Sequence, residues 1–156
     1  MLEKVDFPLT NGQISEFILE KGYTTYFTLQ QAISEMIDSG FIHVETTHNR
    51  TLYHLTEDGA ETIQFFRKNI SPAIQDDINT FFAEKRYDLK NEVSVKADYY
   101  PNSNSEYSVR CQILEHGTPL IDLTVTVPTE EAASTVANNW NTKNQDIYAL
   151  LMEHLL

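Results

Sequence analysis

The run Phe41-Ile42-His43-Val44-Glu45-Thr46-Thr47-His48-Asn49-Arg50-Thr51-Leu52-Tyr53-His54-Leu55 decides how the rest of the chain is read. Phe41 to Thr46 and Thr51 to Leu55 are extended runs on either side of His48-Asn49, which has the composition of a two-residue hairpin turn. In that register Ile42 faces Leu55 and Val44 faces Tyr53, so the apolar side chains share one face of the hairpin. His43 and His54 then face each other on the outer face. Upstream, Leu29, Ala32, Ile33, Met36 and Ile37 recur at i, i+3, i+4, i+7 and i+8, which predicts a helix with Thr28 as its cap and Gly40 as its stop. Before it, Thr10 and Asn11 cap a shorter helix written by Ile14, Phe17 and Ile18 and ending near Gly22. Downstream, Thr56-Glu57-Asp58-Gly59-Ala60 opens a third helix through Ile63, Phe65 and Phe66, with acids in its first turn and Arg67 and Lys68 in its last. Helix, helix, hairpin, helix is the order of a winged helix-turn-helix.

Farther out, Ser71-Pro72 restarts a helix whose apolar face is Ile74, Ile78, Phe81 and Phe82, running to about Lys85. From Val93 the period becomes two. Val93, Val95, Ala97 and Tyr99 form one alternating run; Tyr107, Val109, Cys111 and Ile113 a second; Ile121, Leu123, Val125 and Val127 a third. A three-residue loop around His116-Gly117-Thr118 sets Ile113 opposite Ile121 and Cys111 opposite Leu123. The greasy face of such a sheet needs a cover, and the helical pattern Val136, Ala137, Trp140, Ile147, Tyr148, Leu151 and Leu155, capped by Thr129, supplies one. The expected fold class is α+β: an N-terminal winged helix-turn-helix (1–70), a connecting helix (71–88), and a three-stranded antiparallel meander packed on a long C-terminal helix (89–156).

Several stretches also resemble a known family. Leu9-Thr10-Asn11-Gly12-Gln13-Ile14, Tyr26-Phe27-Thr28-Leu29-Gln30-Gln31-Ala32-Ile33, Ile70-Ser71-Pro72-Ala73-Ile74 and Val125-Thr126-Val127-Pro128-Thr129-Glu130-Glu131-Ala132 together resemble the bacterial domain-of-unknown-function family numbered 4364, over nearly the whole chain. The resemblance implies a cytoplasmic winged-helix protein of the kind seen in phenolic-acid and multiple-antibiotic-resistance type repressors, with a transcriptional role and no established activity. In one place the chain departs from that pattern. Winged-helix members carry an earlier apolar helix, and here only Met1 to Val5 precede the Asp6-Phe7-Pro8 break. Either Met1 is an internal start, which is the expectation, or another element covers the core face that helix fills.

Bulk properties bound the function. The 156 residues are 41 % hydrophobic and carry a formal charge of −12, which favours solubility and opposes loose association with nucleic acid or an anionic membrane. A single cysteine, Cys111, excludes an internal disulfide and reads as a buried structural thiol. No apolar run approaches the ~20 residues of a membrane span and no signal peptide is recognisable, so a cytoplasmic protein with no membrane partner is expected. There is no glycine-rich phosphate loop, nucleophile elbow, HExxH motif or cysteine pair, so no enzyme and no cofactor is expected. His43 and His54 lack a third ligand, so no metal is expected. Lys96 and Arg110 are expected opposite one another on the polar face of the second sheet, with Asp98 and Asp122 diagonal to Arg110.

In a winged helix the second helix of the pair enters the major groove and the wing touches backbone or minor groove. The candidate DNA contacts are therefore Thr28, Gln30, Gln31 and Ser34 on the helix and His48, Asn49 and Arg50 on the wing; glutamine pairs bidentately with adenine and serine serves base or phosphate. Charge runs against this reading: residues 1 to 70 hold five basic side chains against ten acidic, whereas phosphate neutralisation normally dominates affinity. A homodimer joined through Trp140, Tyr148, Leu151 and Leu155 would compensate, binding double-stranded DNA at two half-sites. The rival is a protein-interaction or ligand-sensing module built on the same architecture; the sequence names no effector.

Overall fold

The computed structural model describes residues 1–46, 50–115 and 117–156. The hairpin turn expected at His48-Asn49 and the first residue of the loop at His116 lie outside them. The chain divides into two compact units, Met1–Val93 and Ser94–Leu156.

In the first unit, β1 (Leu9–Thr10) leads into α1 (Asn11–Glu20), followed by α2 (Tyr26–Asp38), β2 (Ile42–Thr46), β3 (Thr51–Leu55), α3 (Glu57–Phe66) and α4 (Pro72–Ser94). The strands form one antiparallel sheet in the order β1-β3-β2. Ile42 pairs with Leu55, His43 with His54 and Val44 with Tyr53, the register that the alternation predicts. β1 was not legible as a strand: its two residues pair with Leu52 and Tyr53, too short a run to show a period.

Each helix start is fixed by a side-chain cap, which satisfies backbone N–H groups that have no partner inside the helix. Thr10 Oγ1 accepts from the Gln13 N–H at 3.1 Å while Gln13 Oε1 accepts from the Thr10 N–H at 3.0 Å, a complete capping box. The cap of α2 is Thr25, whose hydroxyl accepts from the Thr28 N–H. That corrects the expectation of Thr28 as cap and puts Tyr26, Phe27 and Thr28 inside the first helical turn. Gly40 stops α2 with φ +74°, as its position predicted. Thr56 caps α3 through the Gly59 N–H at 3.0 Å. Gly59 itself is dictated by packing, since a Cβ there would lie 2.2 Å from the Phe41 carbonyl oxygen. Arg67 and Lys68 fall in a 3-10 turn (Arg67–Asn69) after α3 and not in its last turn.

The core gathers Leu9, Ile14, Phe17, Leu29, Ile33, Ile42 and Tyr53 with Phe81, Phe82 and Leu89. The helix read as a connector over 71–88 thus runs to Ser94 and belongs to the first unit, because its apolar stripe is part of that core. Met1, Leu2, Val5 and Phe7 pack against the same cluster, so the chain's start and α4 both supply apolar cover. Val93 was expected to open a strand. It lies in the last turn of α4 instead: Phe82, Leu89 and Val93 continue one helical stripe, and all three are buried.

The second unit is a meander, β4 (Val95–Pro101), β5 (Tyr107–Glu115) and β6 (Thr118–Val127), followed by α5 (Glu130–Leu155). Ile113 pairs with Ile121 and Cys111 with Leu123, as the alternation predicts; Thr118, expected in a three-residue loop, instead opens β6 opposite Glu115, and a register shift at Ile113/Leu114 restores the predicted pairing. Thr129 caps α5 through the Ala132 N–H. Val95, Ala97, Val109 and Cys111 meet Ala133, Ala137 and Trp140 in the core. Burial pushes the Cys111 thiol up to about 11, so it stays protonated. Lys96 is opposite Gln112, not Arg110; Arg110 is opposite Asp98 and binds the Asp122 carboxylate. Among the described residues the fold is α+β, with five α-helices and two three-stranded antiparallel sheets, and no helix is long and apolar enough to cross a membrane.

Candidate nucleic-acid interface

α2 rests on Leu29 and Ile33, both buried. Its opposite face carries Phe27, Gln31 and Ser34, spaced i, i+4 and i+7, all exposed, with exposed Thr28 beside them. Gln31 Nε2 donates to the Glu35 carboxylate at 2.9 Å, which orients the amide along the helix surface. Gln30 is only half-buried and is drawn the other way: its Nε2 donates to Asn11 Oδ1 at 3.0 Å, tying α2 to the start of α1. Of the residues assigned to base contact, Thr28, Gln31 and Ser34 therefore share the exposed face, while Gln30 is a link between helices.

The sequence reading missed two aromatics. Phe27 is 84 % exposed and Tyr26 is exposed beside it, their rings edge to face at 5.9 Å. The signal was available in the spacing, because Phe27 falls off the buried stripe of Leu29, Ile33, Met36 and Ile37. It was hidden by placing the cap at Thr28. An exposed aromatic in the first turn of such a helix has the chemistry to meet a thymine methyl group.

The cations of this unit are largely occupied. Lys21 pairs with Asp77 at 2.9 Å, Lys85 with Glu16 and Arg86 with Asp6, both at 2.7 Å, and Arg67 with Glu3. Arg50, assigned to the wing tip, donates to the backbone carbonyl of Glu92 near the end of α4. His48 and Asn49 lie outside the described residues. Lys21 and the Tyr23 hydroxyl converge on Asp77, and these two donors hold its carboxyl below the usual range, the tyrosine more strongly. Such pairs are worth little individually, but each cancels a charge that phosphate would otherwise feel.

On the outer face of the β2–β3 hairpin the His43 and His54 rings are 6.1 Å apart, and His54 Nε2 lies 3.0 Å from the Glu45 carboxylate. No group of three potential metal ligands occurs among the described residues.

Behind α2 lies a cavity of about 300 Å³. Leu29, Ile33 and Met36 from α2 form one wall. Ile14 and Ile18 of α1, Thr62, Ile63 and Phe66 of α3, and Met1, Leu2 and Glu3 complete the lining with Phe41, Ile42, Leu55 and Gly59. Among the described lining residues only Glu3 and Thr62 bring polar side chains, and Glu3 is already held by Arg67.

The family model for the Domain of unknown function (DUF4364) matches residues 1–155, and the chain belongs to that family. No curated protein and no solved structure matches it.

Proposed function

We propose that this DUF4364 protein is a DNA-binding transcriptional regulator whose first unit works as a winged helix-turn-helix. α1 and α2 form the helix pair and the β2–β3 hairpin is the wing. The observation that carries the reading is the outer face of α2, where Phe27, Thr28, Gln31 and Ser34 are exposed together on a helix anchored by Leu29 and Ile33. Gln31 reads adenine, Phe27 contacts a thymine methyl and Thr28 and Ser34 serve base or phosphate. With so many cations paired internally, few phosphates are neutralised per copy, so affinity per copy is low and only weakly dependent on salt. The protein acts as a homodimer on two half-sites of double-stranded DNA, which restores affinity through effective concentration. Selective capture of genomic DNA fragments at low and at physiological salt tests this. Enrichment of a common motif that Gln31→Ala alters is expected; absence of any enrichment at either salt overturns it.

The cavity favours a second reading, a ligand-sensing module. An apolar cavity of 150 Å³ already holds a benzene-sized molecule, and this one is larger and shares a wall with α2. A ligand seated there would act directly on the helix that reads DNA. A thermal-shift screen of small aromatic and alkyl compounds tests this, with Ile33→Trp as the variant that fills the space: a shift in the parent chain that the variant loses supports sensing, and no shift from any compound removes it.

A further inference from the structure

The meander of the second unit has two edges, and they differ. β4 is the shorter at seven residues, carries Lys96 and Asp98, and ends in Pro101. Charges and proline are the usual defences of an open edge, because they block or repel an incoming strand. β6 is ten residues long and, from Leu120 to Val127, has no proline and a single charge, Asp122. That charge is neutralised in place: Arg110 Nε and Gln112 Nε2 both donate to its carboxylate at 2.9 Å. Among the described residues the β5–β6 ladder is irregular only at Ile113/Leu114, near the loop, and the rest of β6 is a regular strand with one side unpaired.

Its apolar face is also incompletely covered. Val95, Ala97, Val109 and Cys111 on β4 and β5 are buried under α5, whereas on β6 Ile121, Leu123 and Val127 are only half-buried, and Val125 is 40 % exposed. Trp140, expected to be available for self-association, is 3 % exposed and donates its indole N–H to the Gln112 carbonyl, so it belongs to the core.

We infer that two copies of this chain join along β6, pairing edge to edge in an antiparallel fashion into one six-stranded sheet. The inference rests on the homodimeric reading above, whose surface it names; it is independent of DNA binding. A second copy is the occupant for three reasons. A partner with the same charge of −12 must approach through a neutral strip, and β6 is one. Antiparallel pairing about a two-fold axis at Thr124 sets Leu123 opposite the second copy's Val125 and Ile121 opposite its Val127, so the under-covered face becomes continuous. The same register puts Asp122 opposite the second copy's Thr126 and separates the two Asp122 carboxylates by about four residues, roughly 13 Å along the strand, beyond a screening length of about 8 Å.

Analytical ultracentrifugation of the full chain tests this. A reversible dimer is expected. Val125→Lys should weaken association by at least about tenfold, because an inward-pointing edge charge would meet an apolar neighbour. Thr126→Glu should weaken and Thr126→Lys strengthen it, since each faces the second copy's Asp122; Tyr100→Lys on the β4 edge should leave it unchanged. Unchanged Trp140 emission checks that each variant is folded. A dimer indifferent to Val125→Lys and to the Thr126 pair overturns the β6 interface while leaving homodimerisation standing. A chain that stays monomeric at its highest soluble concentration overturns both. DNA capture by a monomer would still support the regulator.

Discussion

The two three-stranded sheets of this molecule are specified in different ways. The sheet of the first unit has strands of two, five and five residues, and its surroundings are fixed by side chains that reach backbone or each other across long sequence separations. Gln13 is the clearest case: buried, it completes the α1 capping box and also donates to the Leu89 carbonyl and the Glu92 carboxylate, 76 and 79 residues away. The sheet of the second unit has strands of seven, nine and ten residues, and plain alternation against one helix suffices. One unit is held by individual clasps around a mixed core, the other by a repeating pattern.

Substitutions that act on each kind of specification should separate the two. The largest losses are expected in both cores alike, since dense packing is common to them: Phe17→Ala in the first and Trp140→Ala in the second should each cost about 3–5 kcal/mol in urea unfolding. An undiminished stability in either would show that its core is not close-packed. Next, Gly59→Ala should cost about 1–3 kcal/mol through overpacking against the Phe41 carbonyl, and no glycine of the second unit has such a neighbour. Of comparable size, Gln13→Ala should cost about 1–3 kcal/mol by leaving buried partners unsatisfied. The corresponding change in the second unit, Gln112→Ala, removes a hydrogen bond to the exposed Asp122 and should stay within about 0.5 kcal/mol. Equal costs for the two glutamines would erase the distinction between clasp and pattern.

The same distinction explains what the sequence made legible. Both strand registers were readable, because a one-residue slip would turn Val44 and Tyr53, or Cys111 and Leu123, to the opposite face of their sheet. The helix caps at Thr10 and Thr129 were readable from local chemistry, as was the helix that opens at Thr56. What escaped was whatever depends on distant partners. The end of α4 was misjudged because Val93 fits a period of two and a period of 3.6 equally well, and only its place on the stripe with Phe82 and Leu89 decides. Among the site residues, Gln31 and Ser34 were placed on the exposed face by helical spacing alone, whereas the engagement of Gln30 by Asn11 and of Arg50 by the Glu92 carbonyl could not be read from a pattern. The exposure of Phe27 was available in the spacing and was lost to a cap misplaced by three residues.

The smallest expected effect lies in acid. Asp77 and Asp122 both have carboxyl pKa values lowered by donors, Tyr23 and Lys21 in one case and chiefly Arg110 in the other. A carboxyl depressed in the folded chain contributes stability above its unfolded value of about 3.9 and loses it as pH falls through the folded value. Stability should therefore decline below about pH 4, and Asp77→Asn and Asp122→Asn should each flatten that decline, read from urea midpoints across pH 2.5 to 6. Asp77 should matter more. It ties α4 to two residues beyond the end of α1, 54 and 56 positions away, contacts that no backbone ladder makes for it. Asp122 and Arg110 sit on strands that the β5–β6 ladder already joins, so their pair adds little to a pattern that holds without it. If Asp122→Asn flattened the acid limb as much as Asp77→Asn, the second sheet would prove to depend on its clasps as well.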